Sequence, residues 1–236
     1  MQIHRLFNEN SYRNFTYILF CREQGEAWCI DPFEADSVIE FLSNENLKLT
    51  TIINTHQHWD HIRGNEGLIK RYQIKVWDEN NLSESQCLEL GAGQLIVHFT
   101  PGHTNKHFCL LYLNDGKKIG LFCGDTLFNS GAGNCKNGGD PYQLFKSYKS
   151  FIYQLPDHLE IYPGHDYLEN NLKFTLSIQP DNQYALAALE RFQQNGYEVK
   201  TLGEERMYNL FLLSELRDSE NAESEFVRLR ELRDKW

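Results

Sequence analysis

Short hydrophobic runs in the first two thirds of the chain predict β-strands. The runs are rich in β-branched and aromatic residues and end at Gly, Asn or Asp, which is typical of strands joined by turns. They lie at residues 15–20, 27–30, 50–54, 74–77, 95–99, 107–113, 118–123 and 160–162. The Asn-Asp-Gly segment at 114–116 predicts a tight hairpin between two of these strands.

Apolar residues spaced three and four positions apart predict helices, which dominate the C-terminal part of the chain. One helix is expected among the strands and three after them, at residues 34–42, 167–178, 182–196 and 219–236. Either Asp181 or Asn182 can cap the third of these helices, and Gly196 ends it. The pattern predicts a strand-rich α/β domain over residues 1–166 and a helical domain over 167–236.

The composition argues against several classes of protein. The chain has 236 residues, with 33 Asp and Glu against 23 Lys and Arg, so its formal net charge is −10. An acidic chain is not expected to bind nucleic acid or a membrane surface, and no apolar run is long enough to span a bilayer. The first residues show no secretory signal, and the six cysteines form no CxxC pair. We therefore expect a cytoplasmic protein with reduced thiols.

Histidines clustered on one predicted loop indicate a metal site. The segment 55–61 reads Thr-His-Gln-His-Trp-Asp-His and directly follows a predicted buried strand. Because alternate residues of an extended loop point to the same side, His56 and His58 can bind one metal ion through neutral imidazole nitrogens. Asp60 and His61, further along the loop, can face a second ion. We expect Trp59 to pack against this loop.

Three further candidate ligands follow predicted strands downstream. His103 comes after Thr-Pro-Gly, Asp125 after Cys-Gly, and His165 after Pro-Gly. Loops at the ends of strands can bring residues distant in sequence together at one edge of a sheet. Each short motif alone means little, but their order after the histidine cluster predicts one common site. His107 lies at a predicted strand start and is not counted as a ligand.

The ordered motifs resemble those of the metallo-β-lactamase superfamily, and more closely those of the glyoxalase II, or hydroxyacylglutathione hydrolase, family. The closer resemblance rests on the sequences at 121–128, 162–167, 170–174 and 230–233, which read LFCGDTLF, YPGHDY, NNLKF and RELR. It covers nearly the whole chain. The resemblance implies an α/β (α+β) fold, an αββα sandwich followed by a C-terminal helical domain.

The resemblance also implies a dinuclear metal centre. One divalent ion would be held by His56, His58 and His103, the other by Asp60, His61 and His165, with Asp125 between them. Asp60 would orient the attacking hydroxide and take its proton. We expect zinc, while related sites accept iron or manganese. The implied reaction is hydrolysis of a thioester, above all S-D-lactoylglutathione, to glutathione and a 2-hydroxy acid.

The resemblance further implies a glutathione site between the two domains, formed by Tyr167, Arg230 and Arg233. The alternative for the two arginines is an ordinary solvated helix face. The chain departs from the family where a Lys or Arg is usual, because Asn134 occupies that position and Lys136 follows two residues later. Lys136 can reach the same carboxylate from a shifted backbone. We expect Cys135 to be an incidental thiol.

Other functions remain open on the sequence alone. A persulfide dioxygenase with one iron would share the first ligand set, and another hydrolase of the superfamily would act on a lactone, lactam or phosphoester. A non-catalytic metal-binding module is the third alternative. The intact second ligand set and the glyoxalase-like C-terminal segment favour the thioester hydrolase. We expect a monomer or a small homo-oligomer.

Overall fold

The computed structural model describes residues 1–213 and 220–236, and its first sheet has five strands. In chain order they are β1 (Gln2–Phe7), β2 (Phe15–Cys21), β3 (Glu26–Ile30), β4 (Lys48–Ile53) and β5 (Lys75–Trp77). The strands lie side by side in this same order. The first three are antiparallel, whereas β3, β4 and β5 run parallel.

The second sheet has six strands. It contains β6 (Cys87–Leu90), β7 (Gly93–Phe99), β8 (Phe108–Asn114), β9 (Lys117–Gly124), β12 (Glu160–Pro163) and β13 (Lys200–Thr201). Their spatial order is β13-β12-β9-β8-β7-β6, with only the β12–β9 pair parallel. A small hairpin, β10 (Leu127–Phe128) and β11 (Gly131–Ala132), follows β9.

Helices cover the outer faces of both sheets. They are α1 (Ala35–Asn44), α2 (Trp59–Ile62), α3 (Asn65–Tyr72), α4 (Pro141–Ser150), α5 (Leu168–Ile178), α6 (Gln183–Asn195), α7 (Leu202–Glu205) and α8 (Ala222–Lys235), with a 3₁₀ turn at Ile152–Gln154. Among the described residues, no helix combines the length and the apolar character that crossing a membrane requires.

Alternation along the strands builds the layers. On β2, Tyr17 and Leu19 face the second sheet and pack with Phe108 and Leu110, while Ile18 faces outward against α1 and α3. The opposite face of the second sheet is covered by α4 and α8. This is the two-sheet sandwich with helices outside that strands of period two produce, and it confirms the predicted αββα fold.

The C-terminal helix α8 shares a core with the sandwich. Phe226 packs against Phe145 and Tyr148 of α4, with ring centroids 5.5 and 5.0 Å apart. Leu168 of α5 belongs to a separate cluster that joins α5 to α6. The division into domains at residue 166 stays a prediction.

The predicted elements are found, with shifts of a few residues at their ends. Asn182, rather than Asp181, caps α6, because its side-chain oxygen accepts a hydrogen bond from Ala185 N. Asp115 and Gly116 both have positive φ, as the predicted tight hairpin requires. The start of the last predicted helix, Ser219, lies outside the described residues. The elements that were not predicted are strands β1, β6, β10, β11 and β13 and helices α2, α3, α4 and α7.

A buried carboxylate ties the C-terminal part to the β10–β11 hairpin. Glu205 is fully buried and accepts hydrogen bonds from Asn129 Nδ2 and Ser130 N at 2.9 and 2.6 Å. Tyr208 and Asn209 donate to the same carboxylate at 2.9 and 3.1 Å. Burial raises its pKa even though these four donors oppose the shift.

Replacing Glu205 by Gln is expected to destabilise the fold by about 2–4 kcal/mol, since the amide NH₂ would face buried donors that lose their acceptor. Urea unfolding at neutral pH measures the change. Glu190→Gln on the exposed face of α6 is the matched control. Equal unfolding midpoints for the two variants would contradict the role given to Glu205.

Candidate metal centre

The predicted ligands meet at one edge of the sandwich, where several strands end. The loop carrying His56, His58, Asp60 and His61 follows β4, and His103 lies between β7 and β8. Asp125 directly follows β9, and His165 follows the parallel strand β12. Because parallel strands end at the same edge, residues more than a hundred positions apart converge there.

Four side chains form the first of two ligand groups. His58 Nδ1 lies 3.1 Å from His56 Nε2 and 2.9 Å from His103 Nε2. Asp125 Oδ2 is 3.4 Å from His103 Nε2. The ligand atoms of these four residues all lie within 4.8 Å of one another.

The second group lies on the other side of Asp125. His61 Nε2 and His165 Nε2 are 3.1 Å apart, and Asp60 Oδ2 is 3.4 Å from His165 Nε2. Asp125 contacts this group as well, with Oδ1 3.3 Å from His61 Nε2 and Oδ2 3.3 Å from His165 Nε2. The structure thus brings all seven predicted ligands together, with Asp125 between two sets.

These atoms suit divalent ions. Ligands about 2.0–2.1 Å from a tetrahedral ion lie about 3.3 Å from one another, close to the separations found here. Asp125 Oδ1 is buried and accepts no hydrogen bond from residues 1–213 or 220–236. A buried carboxylate oxygen without a donor is costly unless a cation satisfies it. The fold and this cluster therefore indicate a divalent-metal site.

Asp31 orients two of the histidines, His61 directly and His56 through the Thr55 hydroxyl. His61 Nδ1 lies 2.9 Å from Asp31 Oδ2, and the Thr55 hydroxyl donates to the same oxygen at 2.7 Å. That hydroxyl can then accept from His56 Nδ1, which is 3.0 Å away. With Nδ1 protonated, each ring turns the lone pair of Nε2 toward the metal position.

Backbone carbonyls orient two further histidines. His103 Nδ1 donates to Asn134 O and His165 Nδ1 donates to Tyr12 O, each at 2.6 Å. His58 is reversed: its Nδ1 faces the ligand group, and its Nε2 lies 3.3 Å from Asn137 O. Because each contact assigns one ring nitrogen as donor, the other is free to bind an ion.

His107 stays outside both groups, although it is fully buried beside them. Its Nε2 accepts a hydrogen bond from Asp125 N at 3.1 Å, and its Nδ1 lies 3.0 Å from Thr126 Oγ1. Burial lowers the pKa of His107 well below its ordinary value, so the ring is neutral. Burial and the neighbouring His61 likewise lower the pKa of His56. Neutral imidazole is the form that binds metals.

The residues that orient the ligands were not predicted from the sequence. Asp31 is one of them. Asn14 is another, because its Nδ2 donates to Asp60 Oδ2 at 2.9 Å. Arg13 pairs with the buried Asp166 next to His165. Asp31 directly follows β3 at the same edge as the histidine loop, so its position was a usable signal. The signal was weak for Asn14 and Arg13, which lie before β2 in an irregular segment.

Replacing Asp31 by Asn is expected to weaken metal binding by roughly 10–100-fold, the usual cost of losing an outer partner of a metal ligand. The amide NH₂ would face either the Thr55 hydroxyl and the His61 N–H, which share Oδ2, or the Thr55 backbone N–H, which donates to Oδ1. Competition with a chromophoric chelator measures the affinity. Asp36→Asn, on the exposed side of α1, should bind metal as the parent chain does. Equal affinities for both variants would refute this role.

A cavity of about 460 Å³ adjoins the ligand groups. All five predicted substrate residues line it: Asn134, Lys136, Tyr167, Arg230 and Arg233. The Tyr167 ring stacks on His165 with centroids 4.8 Å apart, and the Asn134 carbonyl holds His103. Two residues of the cavity wall therefore contact a histidine of each ligand group.

The three basic residues of this cavity differ in their burial and in their hydrogen-bond partners within the chain. Arg230 is buried and donates to the carbonyls of Ala132 and Gly133 and to Asp234 Oδ1. Lys136 is exposed, and its Nζ donates to the carbonyl of Asp234 at 2.9 Å. Arg233 is half-buried. Arg230 therefore supports the cavity wall, while Lys136 and Arg233 line the same cavity with side chains that remain at least partly exposed.

Known proteins share the fold of this chain. The sequence pattern of the metallo-beta-lactamase superfamily matches residues 16–81, and that of the hydroxyacylglutathione hydrolase C-terminus matches residues 166–236. The crystal structure of ETHE1 from Myxococcus xanthus superposes with a TM-score of 0.74 at 25% identity, covering 98% of this chain and 90% of that one. The fold is that of the metallo-β-lactamase superfamily.

Relatives that align over the full length of the chain identify its family within this superfamily. A protein named hydroxyacylglutathione hydrolase from Nitrosococcus oceani is 40% identical, and one of the same name from Polaromonas sp. is 35% identical. Each alignment covers 100% of both chains. The chain belongs to the hydroxyacylglutathione hydrolase family.

Proposed function

We propose that this chain hydrolyses S-(2-hydroxyacyl)glutathione thioesters, S-D-lactoylglutathione above all, to glutathione and the 2-hydroxy acid, using two divalent ions, for which we expect zinc. The observation that carries the proposal is the complete set of seven ligand residues in a chain that matches its relatives over their full length. The proposal includes a cytoplasmic protein that is a monomer or a small homo-oligomer.

We assign one metal ion to each ligand group. His56, His58 and His103 would hold one ion and Asp60, His61 and His165 the other, with Asp125 shared. Bound there, divalent ions would lower the pKa of a coordinated water and would polarise the thioester carbonyl. Asn14 fixes the Asp60 carboxylate through Oδ2. In this proposal Asp60 orients the attacking water and accepts its proton.

The cavity beside the ligand groups would hold the thiol part of the substrate. Glutathione carries two carboxylates, and Lys136 and Arg233 supply two positive charges that face the cavity. The Tyr167 hydroxyl, above His165, can donate to the peptide backbone of the substrate. With Asn134 at the usual basic position, we assign the recognition of one carboxylate to Lys136.

A panel of lactoyl thioesters tests the proposal, with glutathione, coenzyme A and a simple neutral thiol as leaving groups. We expect the highest kcat/KM for the glutathione ester. Equal values for all three would show that the cavity does not recognise glutathione. Oxygen uptake with glutathione persulfide, in protein holding one iron per chain, would establish the dioxygenase alternative instead. The complete second ligand group favours the hydrolase.

A further inference from the structure

The last residue of the chain, Trp236, lies on the wall of the cavity that would hold the substrate thiol. It follows the end of α8 and is 51% exposed. Its ring centroid lies 5.8 Å from that of Phe174, a buried residue of α5, and 5.3 Å from Arg233 Cζ. Arg233 Cζ is in turn 5.7 Å from the Phe174 ring. The three side chains form a triangle at the cavity.

Arg233 is also fixed along one edge of its guanidinium. Its Nε and Nη2 both donate to Asn171 Oδ1 at 3.2 Å. The amide of Asn171 cannot flip without loss, because its Nδ2 donates to Asn129 O at 2.9 Å. Arg233 Nη1 has no hydrogen-bond acceptor in the described part of the chain. The outer edge formed by Nη1 and Nη2 is therefore available for a carboxylate in bidentate geometry.

Asn171 alone leaves the guanidinium free to rotate about this edge. Phe174 limits that rotation from α5, and Trp236 limits it from the C-terminal side. A guanidinium is planar and stacks on aromatic rings, so two rings at these distances favour one orientation. An ordered arginine loses less entropy when it binds a ligand than a freely moving one.

We propose that Trp236 is a positioning residue that, together with Phe174, sets Arg233 for bidentate recognition of a carboxylate on the thiol part of the substrate. This inference rests on the proposed function and extends it to substrate selectivity. It assigns to Trp236 an effect on ground-state binding of anionic thioesters and none on the hydrolytic step.

Trp236→Ala is expected to raise KM for the glutathione thioester about tenfold and to leave kcat within about twofold. KM for a lactoyl thioester of a neutral thiol should not change. Trp236→Phe should restore most of the loss, since it keeps an aromatic face. Tyr184→Ala, an exposed aromatic residue on α6 outside this cavity, is the matched control.

A double-mutant cycle separates positioning from a general structural effect. If Trp236 acts through Arg233, adding Trp236→Ala to Arg233→Ala should not raise KM further. Additive effects, or an equal rise in KM for both thioesters, would overturn the inference. So would an unchanged KM in Trp236→Ala, and in that case hydrolysis by the parent chain would still support the proposed function.

A binding measurement covers the case in which the parent chain hydrolyses no glutathione thioester. Calorimetry with S-methylglutathione then compares the parent chain with Trp236→Ala. About tenfold weaker binding by the variant supports the positioning role even though the proposed function has failed. Equal affinity, or no binding to the parent chain, overturns it.

Discussion

Asp125→Ala is expected to lower kcat/KM for S-D-lactoylglutathione by at least about 10³-fold, well beyond the 10–100-fold that losing an outer partner costs. Among the described residues, Asp125 is the one carboxylate that contacts both ligand groups, with oxygens 3.3–3.4 Å from His61, His103 and His165. Its removal leaves five histidine rings and Asp60 around the two ion positions, without the shared negative charge that would offset the repulsion between two cations.

Metal analysis and steady-state kinetics on the same preparation check this prediction. Bound metal should fall below two ions per chain in Asp125→Ala. Asp181→Ala, an exposed residue before α6, should keep the metal content and turnover of the parent chain. Two ions per chain together with undiminished turnover in Asp125→Ala would remove Asp125 from the site.

Gly164→Ala is expected to lower kcat/KM by about 10²-fold or more, because displacing reacting groups by about 1 Å has effects of this size. A Cβ at Gly164 would overlap Asp125 Oδ1 and would lie 2.7 Å from His61 Cε1. The backbone cannot move aside easily, since Gly164 N donates to Gly124 O and its carbonyl accepts from Phe15 N, both at 2.8 Å. The two ligands must shift instead.

Gly116→Ala is the matched control for this change. A Cβ there meets no atom within 4 Å, although the φ of +72° makes the substitution unfavourable by about 1–2 kcal/mol. Gly116→Ala should therefore lower stability but keep both metal ions and full turnover, whereas Gly164→Ala should lose metal. The account of Gly164 is wrong if its variant binds two ions with parent-like affinity.

Much of the fold could be predicted from local sequence patterns. Short runs of hydrophobic, β-branched and aromatic residues predicted β2, β7 and β8, and Asn-Asp-Gly predicted the turn between β8 and β9, because both signals act over a few residues. Helix α4 had a usable signal that was missed: Asp140 caps it and Pro141 occupies its first turn. Strand β1 had a weaker one, since it is an edge strand with partly buried residues.

Some residues of the candidate site could likewise be predicted from local sequence patterns, and the contacts of others could not. The histidine loop and the three downstream ligands could be predicted because each lies next to a strand end in a recognisable motif. The contacts of Asp31, Asn14 and His107 could not, because they depend on which nitrogen or oxygen meets which partner after folding. Arg230 shows the limit most plainly: its position in the motif was visible, but its burial against Ala132 and Gly133 carbonyls was not.

The net charge of −10 makes the local charges of the cavity important. A glutathione thioester is anionic and must approach an acidic protein, so its binding depends on positive groups at the site itself. Lys136 and Arg233 supply these groups at the cavity, and bound metal ions would add to them. Screening by salt should therefore weaken substrate binding more than it changes kcat.

The most direct test of the central claim is a zinc titration of metal-stripped protein, with hydrolysis of S-D-lactoylglutathione measured after each addition. The account predicts that turnover rises to its maximum as the content approaches two ions per chain. Maximal turnover at one ion per chain would contradict it, as would two bound ions with no hydrolysis of any acyl-glutathione thioester.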